Sequence, residues 1–130
     1  IIVKELLKKM KLKNFGKIIN LSSQMAKIPH PGAAPSYEIS KSSINTLTRH
    51  LVKKYAQYNI YLNVISPGTI KSDMQKTMKI SKLKEIISNI PSKKLGNPQD
   101  VANLVLYLFS NKSNYINGAV ININGGSLLE

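Results

Sequence analysis

The chain has 130 residues, nineteen of them basic and six acidic, a formal net charge of +13 and no cysteine. That length bounds it at one domain, large enough to bury a core. The missing thiols exclude disulfides and thiolate metal sites and fit a reducing, cytoplasmic setting, and no apolar run reaches the roughly 18 residues of a membrane span.

The charge is almost all lysine, with Arg49 the single arginine, and it is scattered along the chain. Specific nucleic-acid recognition favours clustered, arginine-rich surfaces, so loose electrostatic attraction to polyanions at low salt is the expectation instead. A lysine-rich polyanion-binding module stays open as an alternative function.

The opening IIVKELLKKMKLK spaces Ile2, Leu6, Leu7 and Met10 as one apolar stripe among lysines, an amphipathic helix rather than a signal peptide. Because the chain starts at Ile1 inside that pattern, the expectation is a cut through a larger protein. GKIINLSS (16–23) reads as a short buried strand ending at two serines. QMAKIPHPGAAPS carries three prolines and a glycine and reads as loop. From Tyr37 to about Tyr58, the spacing of Ile44, Leu47, Leu51 and Tyr55 predicts a helix of roughly six turns.

IYLNVIS (60–66) is a second buried strand, stopped by Pro67-Gly68. Residues 69–97 are mixed and lysine-rich, with one helix over 81–90. Pro98 sits at a helix start, and Val101, Leu104, Val105 and Leu108 follow as a stripe for the core or a subunit interface. AVININGG (119–126) closes as a third strand.

Alternating helices and strands predict an α/β fold with three parallel strands and flanking helices. In such open sheets ligands bind beyond the carboxyl ends of the strands. Ser22-Ser23 lies at one such end and SPGTIKSDM at the next, and Tyr37 opens the helix after the first. Tyr37 and Lys41, four apart, share a helical face. An ammonium beside a phenol favours the phenolate, which makes a proton donor and acceptor. A serine hydroxyl nearby polarises a carbonyl oxygen. Such a site reduces a carbonyl only with a hydride donor, which side chains do not supply.

Each residue also has a plainer reading: Tyr37 as a helix-start aromatic, Lys41 as a solvated lysine, the serines as a strand end, Pro67-Gly68 as a turn. Asp73 reads as the cap of the following helix rather than a catalytic group. His30 and His50 have no nearby carboxylate or second histidine at ligand spacing, so no metal site is expected.

GKIINLSS, YEISK, NVISPGTIKSDM, IPSKKLGNPQDVANLVLYLFS and YINGAVININGG, in this order, resemble the carboxyl-terminal half of the short-chain dehydrogenases/reductases. The resemblance covers nearly all of residues 1–130. Within that family the chain is most similar to the 3-oxoacyl-[acyl-carrier-protein] reductases. It implies half of a Rossmann-type doubly wound parallel sheet and NAD(P)-dependent reduction of a carbonyl to an alcohol.

By resemblance Ser23 binds the substrate carbonyl, with Ser22 as the alternative because the loop before Tyr37 is one residue longer than usual. Tyr37 is the general acid/base, and Lys41 holds the nicotinamide ribose and supports Tyr37. Pro67, Gly68 and the backbone of Ile70 cradle the nicotinamide carboxamide, and Ser72 stands for the usual threonine. Residues 73–91 match the lid over the substrate. The cofactor is NADP or NAD, with NADPH favoured. The glycine-rich turn and the catalytic asparagine belong upstream.

The substrate is a small-molecule or acyl-carrier-bound carbonyl compound. The basic residue that meets the acidic carrier is replaced by Tyr58, with Lys53, Lys54 and Lys13 nearby. The helices at 37–58 and 98–109 imply a homodimer or homotetramer, with no membrane and no specific nucleic acid as partner. The contrasting expectation is a truncated, non-catalytic remnant with an exposed sheet edge.

Overall fold

A computed structural model describes residues 2–30 and 32–129. Ile1, Pro31 and Glu130 lie outside the described residues, as do the side chains of Ile2 and Met74. The helices and strands run α1 (Ile2–Lys13), β1 (Gly16–Leu21), α2 (Pro35–Tyr55), β2 (Ile60–Pro67), α3 (Ile80–Asn89), α4 (Pro98–Phe109) and β3 (Val120–Ile123). The three strands form one parallel sheet in the order β1-β2-β3, with Gly16 opposite Ile60 and Val64 opposite Val120.

The period of two along a strand sorts side chains onto two faces. On one face Ile60 and Leu62 are fully buried against Leu7 of α1, with Met10, Leu51, Val52 and Tyr55 packed around them. Burying each such side chain stabilises the fold by about 1.5–3 kcal/mol. Ile18 and Asn20 of β1 share that face, and Asn20 Nδ2 donates to Thr48 Oγ1 of α2 at 2.9 Å. Lys17 faces the other way and reaches the carbonyl of Ser110 at the end of α4. Helices therefore cover both faces, as the doubly wound expectation requires.

Several boundaries differ from the expectations. Helix α2 starts at Pro35, whose missing N–H is one the first turn leaves unpaired anyway. It stops at Tyr55 rather than near Tyr58, because the chain tightens into a 3-10 turn over Ala56–Tyr58 and turns out at Asn59, with φ 54°. Helix α3 begins one residue earlier than expected, at Ile80. Strand β3 is shorter than 119–126: the Ala119 N–H donates to Asn63 Oδ1, and Gly125 and Gly126 adopt φ of 63° and 87°, which ends pairing.

Asp73 does not cap a helix. It is the first residue of a 3-10 turn over Asp73–Thr77 and pairs on the surface with Lys76. The start of α4 is as expected: Pro98 opens it, and Asp100 Oδ2 accepts from the Asn97 N–H at 2.8 Å. Among the described residues no helix is long and apolar enough to cross a membrane.

Candidate active site

Two bonds fasten the carboxyl end of β1 to the first turns of α2. The Ser22 hydroxyl donates to the Lys41 carbonyl at 3.0 Å, and Lys41 Nζ donates back to the Leu21 carbonyl at 3.0 Å. A third follows, from Ser42 Oγ to the Ala26 carbonyl at 2.7 Å. Because Tyr37 and Lys41 lie one helical turn apart, fixing Lys41 also fixes Tyr37. The ammonium lies 5.6 Å from the Tyr37 ring centroid, within cation–π range.

The two serines differ in their bonding. Ser22 is buried and its proton is engaged by Lys41. Ser23 caps the 3-10 turn over Gln24–Ala26 by accepting from the Met25 N–H at 3.2 Å, and among the described residues its own O–H has no acceptor. The Tyr37 side chain is 43% exposed, and its hydroxyl likewise has no partner among the described residues. The exposed His30 is tied to the same helix start, its backbone N–H donating to Glu38 Oε1 at 2.8 Å.

The loops after all three strands meet at Gly68. A Cβ there would stand 2.8 Å from the Asn124 backbone and 3.0 Å from Gln24 Oε1, so only a glycine leaves this junction unstrained. Gly68 donates its N–H to the Ile123 carbonyl at 3.0 Å. Next, Ile70 forms an isolated parallel bridge with Gly96. The Ile70 carbonyl accepts from Gln75 Nε2, whereas its N–H has no acceptor among the described residues. The Ile70 N–H is thus an uncommitted backbone donor just beyond the carboxyl end of β2, among the described residues. Ser72 is exposed, and its hydroxyl donates to Gln75 Oε1 at 3.0 Å.

Thus Ser22, Ser23, Tyr37, Lys41, Pro67, Gly68 and Ile70 all stand at the carboxyl ends of β1 and β2 or on the helix turns fastened there. Tyr58 lies away from them, at the far end of α2. There Lys11 Nζ sits 4.6 Å from its ring centroid, and Lys8, Lys11 and Lys54 line a shallow basic pocket with Tyr55 and Tyr58. Sequence reasoning named Lys53, Lys54 and Lys13 for this position, and only Lys54 lines the pocket. It also missed Gln24, which nothing but tertiary contact marks out.

A family model described as enoyl-(acyl carrier protein) reductase matches residues 1–127. The 3-oxoacyl-[acyl-carrier-protein] reductase of Rickettsia felis is 38% identical over 99% of this chain and 53% of its own length. That of Buchnera aphidicola subsp. Schizaphis graminum is 33% identical over 95% of this chain and 50% of its own. The crystal structure of 3-oxoacyl-[acyl-carrier protein] reductase from Brucella melitensis superposes with a TM-score of 0.93 at 30% identity, over 98% of this chain and 48% of that one. A chain from Agrobacterium tumefaciens solved with bound NADP gives a TM-score of 0.87 at 28% identity, over 96% and 52%. This chain therefore spans about half the length of the curated relatives it matches.

Proposed function

Because this chain belongs to the short-chain dehydrogenase/reductase family, we propose that it is the carboxyl-terminal, substrate-side half of one Rossmann-type domain. In the full-length gene product that domain reduces a carbonyl to an alcohol with NADPH or NADH, and a 3-oxoacyl group on an acyl carrier is the first substrate to test. The observation that carries this reading is the double fastening of residues 21–22 to Lys41, which ties the strand end that leads into Ser23 to the helix turns that carry Tyr37 and Lys41.

The nicotinamide group, when bound, supplies the hydride. The chain's own residues do the rest. Ser23 donates its unengaged proton to the substrate carbonyl and polarises it. Tyr37 delivers its phenolic proton to the same oxygen as negative charge develops there. Lys41, positively charged at the Tyr37 ring, stabilises the phenolate left behind and binds the ribose hydroxyls. Gly68 and the Ile70 N–H orient the carboxamide. The family description names an enoyl reductase and the relatives' names a 3-oxoacyl reductase. Carbonyl reduction is preferred here because Ser23 and Tyr37 offer two donors for one oxygen.

The open edge of β1 supports the reading of a half domain. Gly16 and Ser22 direct their N–H groups toward β2, to the carbonyls of Asn59 and Ile65. The alternate residues, Lys17, Ile19 and Leu21, therefore present theirs to the unpaired side, flanked by the exposed Phe15 and Leu21 side chains. A strand from the upstream half pairs there. The exposed Ile39 and Leu47 on α2, and Leu106 and Phe109 on α4, suit a homodimer or homotetramer in a cytoplasmic enzyme. The Lys8, Lys11 and Lys54 pocket suits an acidic carrier.

The test is NADPH consumption by the full-length gene product on the N-acetylcysteamine thioester of 3-oxobutanoate. Tyr37→Phe is expected to lower turnover by about a thousandfold or more while NADPH affinity stays close to wild type. Undiminished turnover in that variant ends the role given to Tyr37.

A further inference from the structure

Scattered along the chain, the charges are sorted in space. Helices α1, α2 and α4 each precede a strand of one parallel sheet, so all three run against the strands and end at the amino ends of the sheet. Each begins with an acid in its first turn, Glu5, Glu38 and Asp100. The last turns of α1 and α2 carry Lys11, Lys13, Lys53 and Lys54, and the turn after α4 carries Lys112, all of them exposed. No acidic residue occurs in 6–37, 39–72 or 101–129. The amino ends therefore hold lysines and no carboxylate among the described residues. Printed contacts join the three loops there into one surface: Gly16 donates its N–H to the Asn59 carbonyl at 3.2 Å, Lys17 Nζ reaches Ser110 and Asn114, and Asn117 bonds Ile60 and Leu62.

Lysines at helix carboxyl termini complement the macrodipole, so the charge alone is an ordinary finding. The dipole does not account for two apolar tips among them. Leu12, between Lys11 and Lys13, is 87% exposed, and Tyr115, close after Lys112, is fully exposed. The exposed Phe15 belongs instead to the β1 edge that the upstream half covers. We propose that this amino-end face docks the protein on an anionic lipid bilayer, with Leu12 and Tyr115 entering the headgroup layer and the surrounding lysines meeting acidic headgroups. Leucine and tyrosine tips beside lysine stems suit that layer, which takes apolar bodies with polar ends. Lysine is a compact point charge, suited to mobile lipid headgroups, and it lacks the planar fork with which arginine reads nucleic acids. Docked this way, the carboxyl ends with Ser23 and Tyr37 face the solution, so the inference is independent of the reaction.

The experiment measures binding of the full-length gene product to phosphatidylcholine vesicles with and without phosphatidylglycerol, near physiological ionic strength. A thymidine oligonucleotide and polyglutamate serve as polyanions without a bilayer. The anionic vesicles are expected to bind at least about tenfold more tightly than the neutral ones. Leu12→Ser combined with Tyr115→Ser should weaken vesicle binding about tenfold or more and leave both polyanions unaffected, because those need charge alone. Lys13→Gln combined with Lys112→Gln should weaken vesicle binding roughly tenfold to thirtyfold and flatten its salt dependence. No binding, or equal binding to the two kinds of vesicle, overturns the inference. So does a Leu12 and Tyr115 double variant that binds anionic vesicles as wild type does. The face is then a charged surface only, and the polyanion that binds more tightly shows whether nucleic acid or an acidic protein occupies it.

A polarity-sensitive dye on Tyr115→Cys is the second measurement, read against the unsubstituted protein taken through the same labelling, since this chain has no cysteine of its own. A blue shift on anionic vesicles and none on the oligonucleotide is expected. An unshifted dye on vesicles that bind the protein shows that Tyr115 stays in water, and it overturns the inference. The substituted positions lie outside the site given to Ser23, Tyr37 and Lys41, so melting temperature and turnover should stay at wild-type values. A wild type that reduces no thioester is a failure of the proposed function, and the vesicle result is decided separately.

Discussion

The two ends of the sheet differ in how completely their polar side chains are paired. Toward the amino ends Lys17, Asn63 and Asn117 each hold several partners. Lys17, only 9% exposed, donates from Nζ to the Ser110 carbonyl, to Asn114 Oδ1 at 2.7 Å and to Ser113 Oγ at 3.4 Å. Asn117 accepts from the Leu62 N–H at 2.8 Å and donates to the Ile60 carbonyl at 3.1 Å. Asn63 donates to the Ile116 carbonyl and accepts from the Ala119 N–H. Toward the carboxyl ends, the oxygens of Gln24, Asn45 and Asn122 are buried without partners among the described residues. The hydroxyls of Ser23 and Tyr37 are uncommitted there as well. Closed networks hold a fold, whereas uncommitted donors and acceptors keep bonding capacity for water or a ligand.

That contrast is sharpened first at the serine pair, where the largest effect is expected. In the full-length gene product, Ser23→Ala should lower kcat by roughly a hundredfold to a thousandfold, as loss of one donor to a developing oxyanion does. Ser22→Ala should instead destabilise the fold, by about 0.5–1.5 kcal/mol in a denaturant melt, because a bond that fastens β1 to α2 is lost. The reverse pattern would move the carbonyl-binding role to Ser22.

At the amino end, Lys17→Met should cost about 1–3 kcal/mol of stability by removing the charge-assisted bonds that tie β1 to Ser110 and Asn114, with the reaction rate unchanged. Gly68→Ala should cost a similar 1–3 kcal/mol, from forcing a methyl against the Asn124 backbone, and should also impair cofactor binding. The smallest effects come from one swap made at both ends. Asn117→Leu breaks two bonds and should lower the melting temperature clearly. Asn45→Leu removes an amide with an unpaired oxygen and should change stability by less than about 0.5 kcal/mol. Equal losses in the two variants would erase the distinction drawn between the ends.

Much of the scaffold is legible in the sequence because its signals are local. Pro98 with Asn97 and Asp100 marks the start of α4 within four residues, and the apolar runs at 16–21 and 60–66 mark strands, of which only the second is buried along most of its length. The spacing of Tyr37 and Lys41 and the position of Ser22-Ser23 before a proline-rich loop place those side chains at one end of the sheet. What stays hidden depends on contacts between distant segments. Lys17 is one lysine among many until its partners ninety-odd residues later are known. The early end of α2 is set by Asn59 turning into the left-handed region, and the short β3 by Asn63 capturing the Ala119 N–H. The isolation of Gln24 Oε1 is a property of packing around Gly68, which no pattern along the chain records.

The contrast between the two ends is tested most directly by amide hydrogen exchange of the full-length gene product with and without NADPH. Slowed exchange confined to residues 21–24, 37–41 and 67–72 is the expected result, with Ile60–Leu62 and 116–119 unchanged. Protection centred on the amino ends, around Lys17 and Asn117, would contradict the placement of the chemistry at the carboxyl ends of the strands.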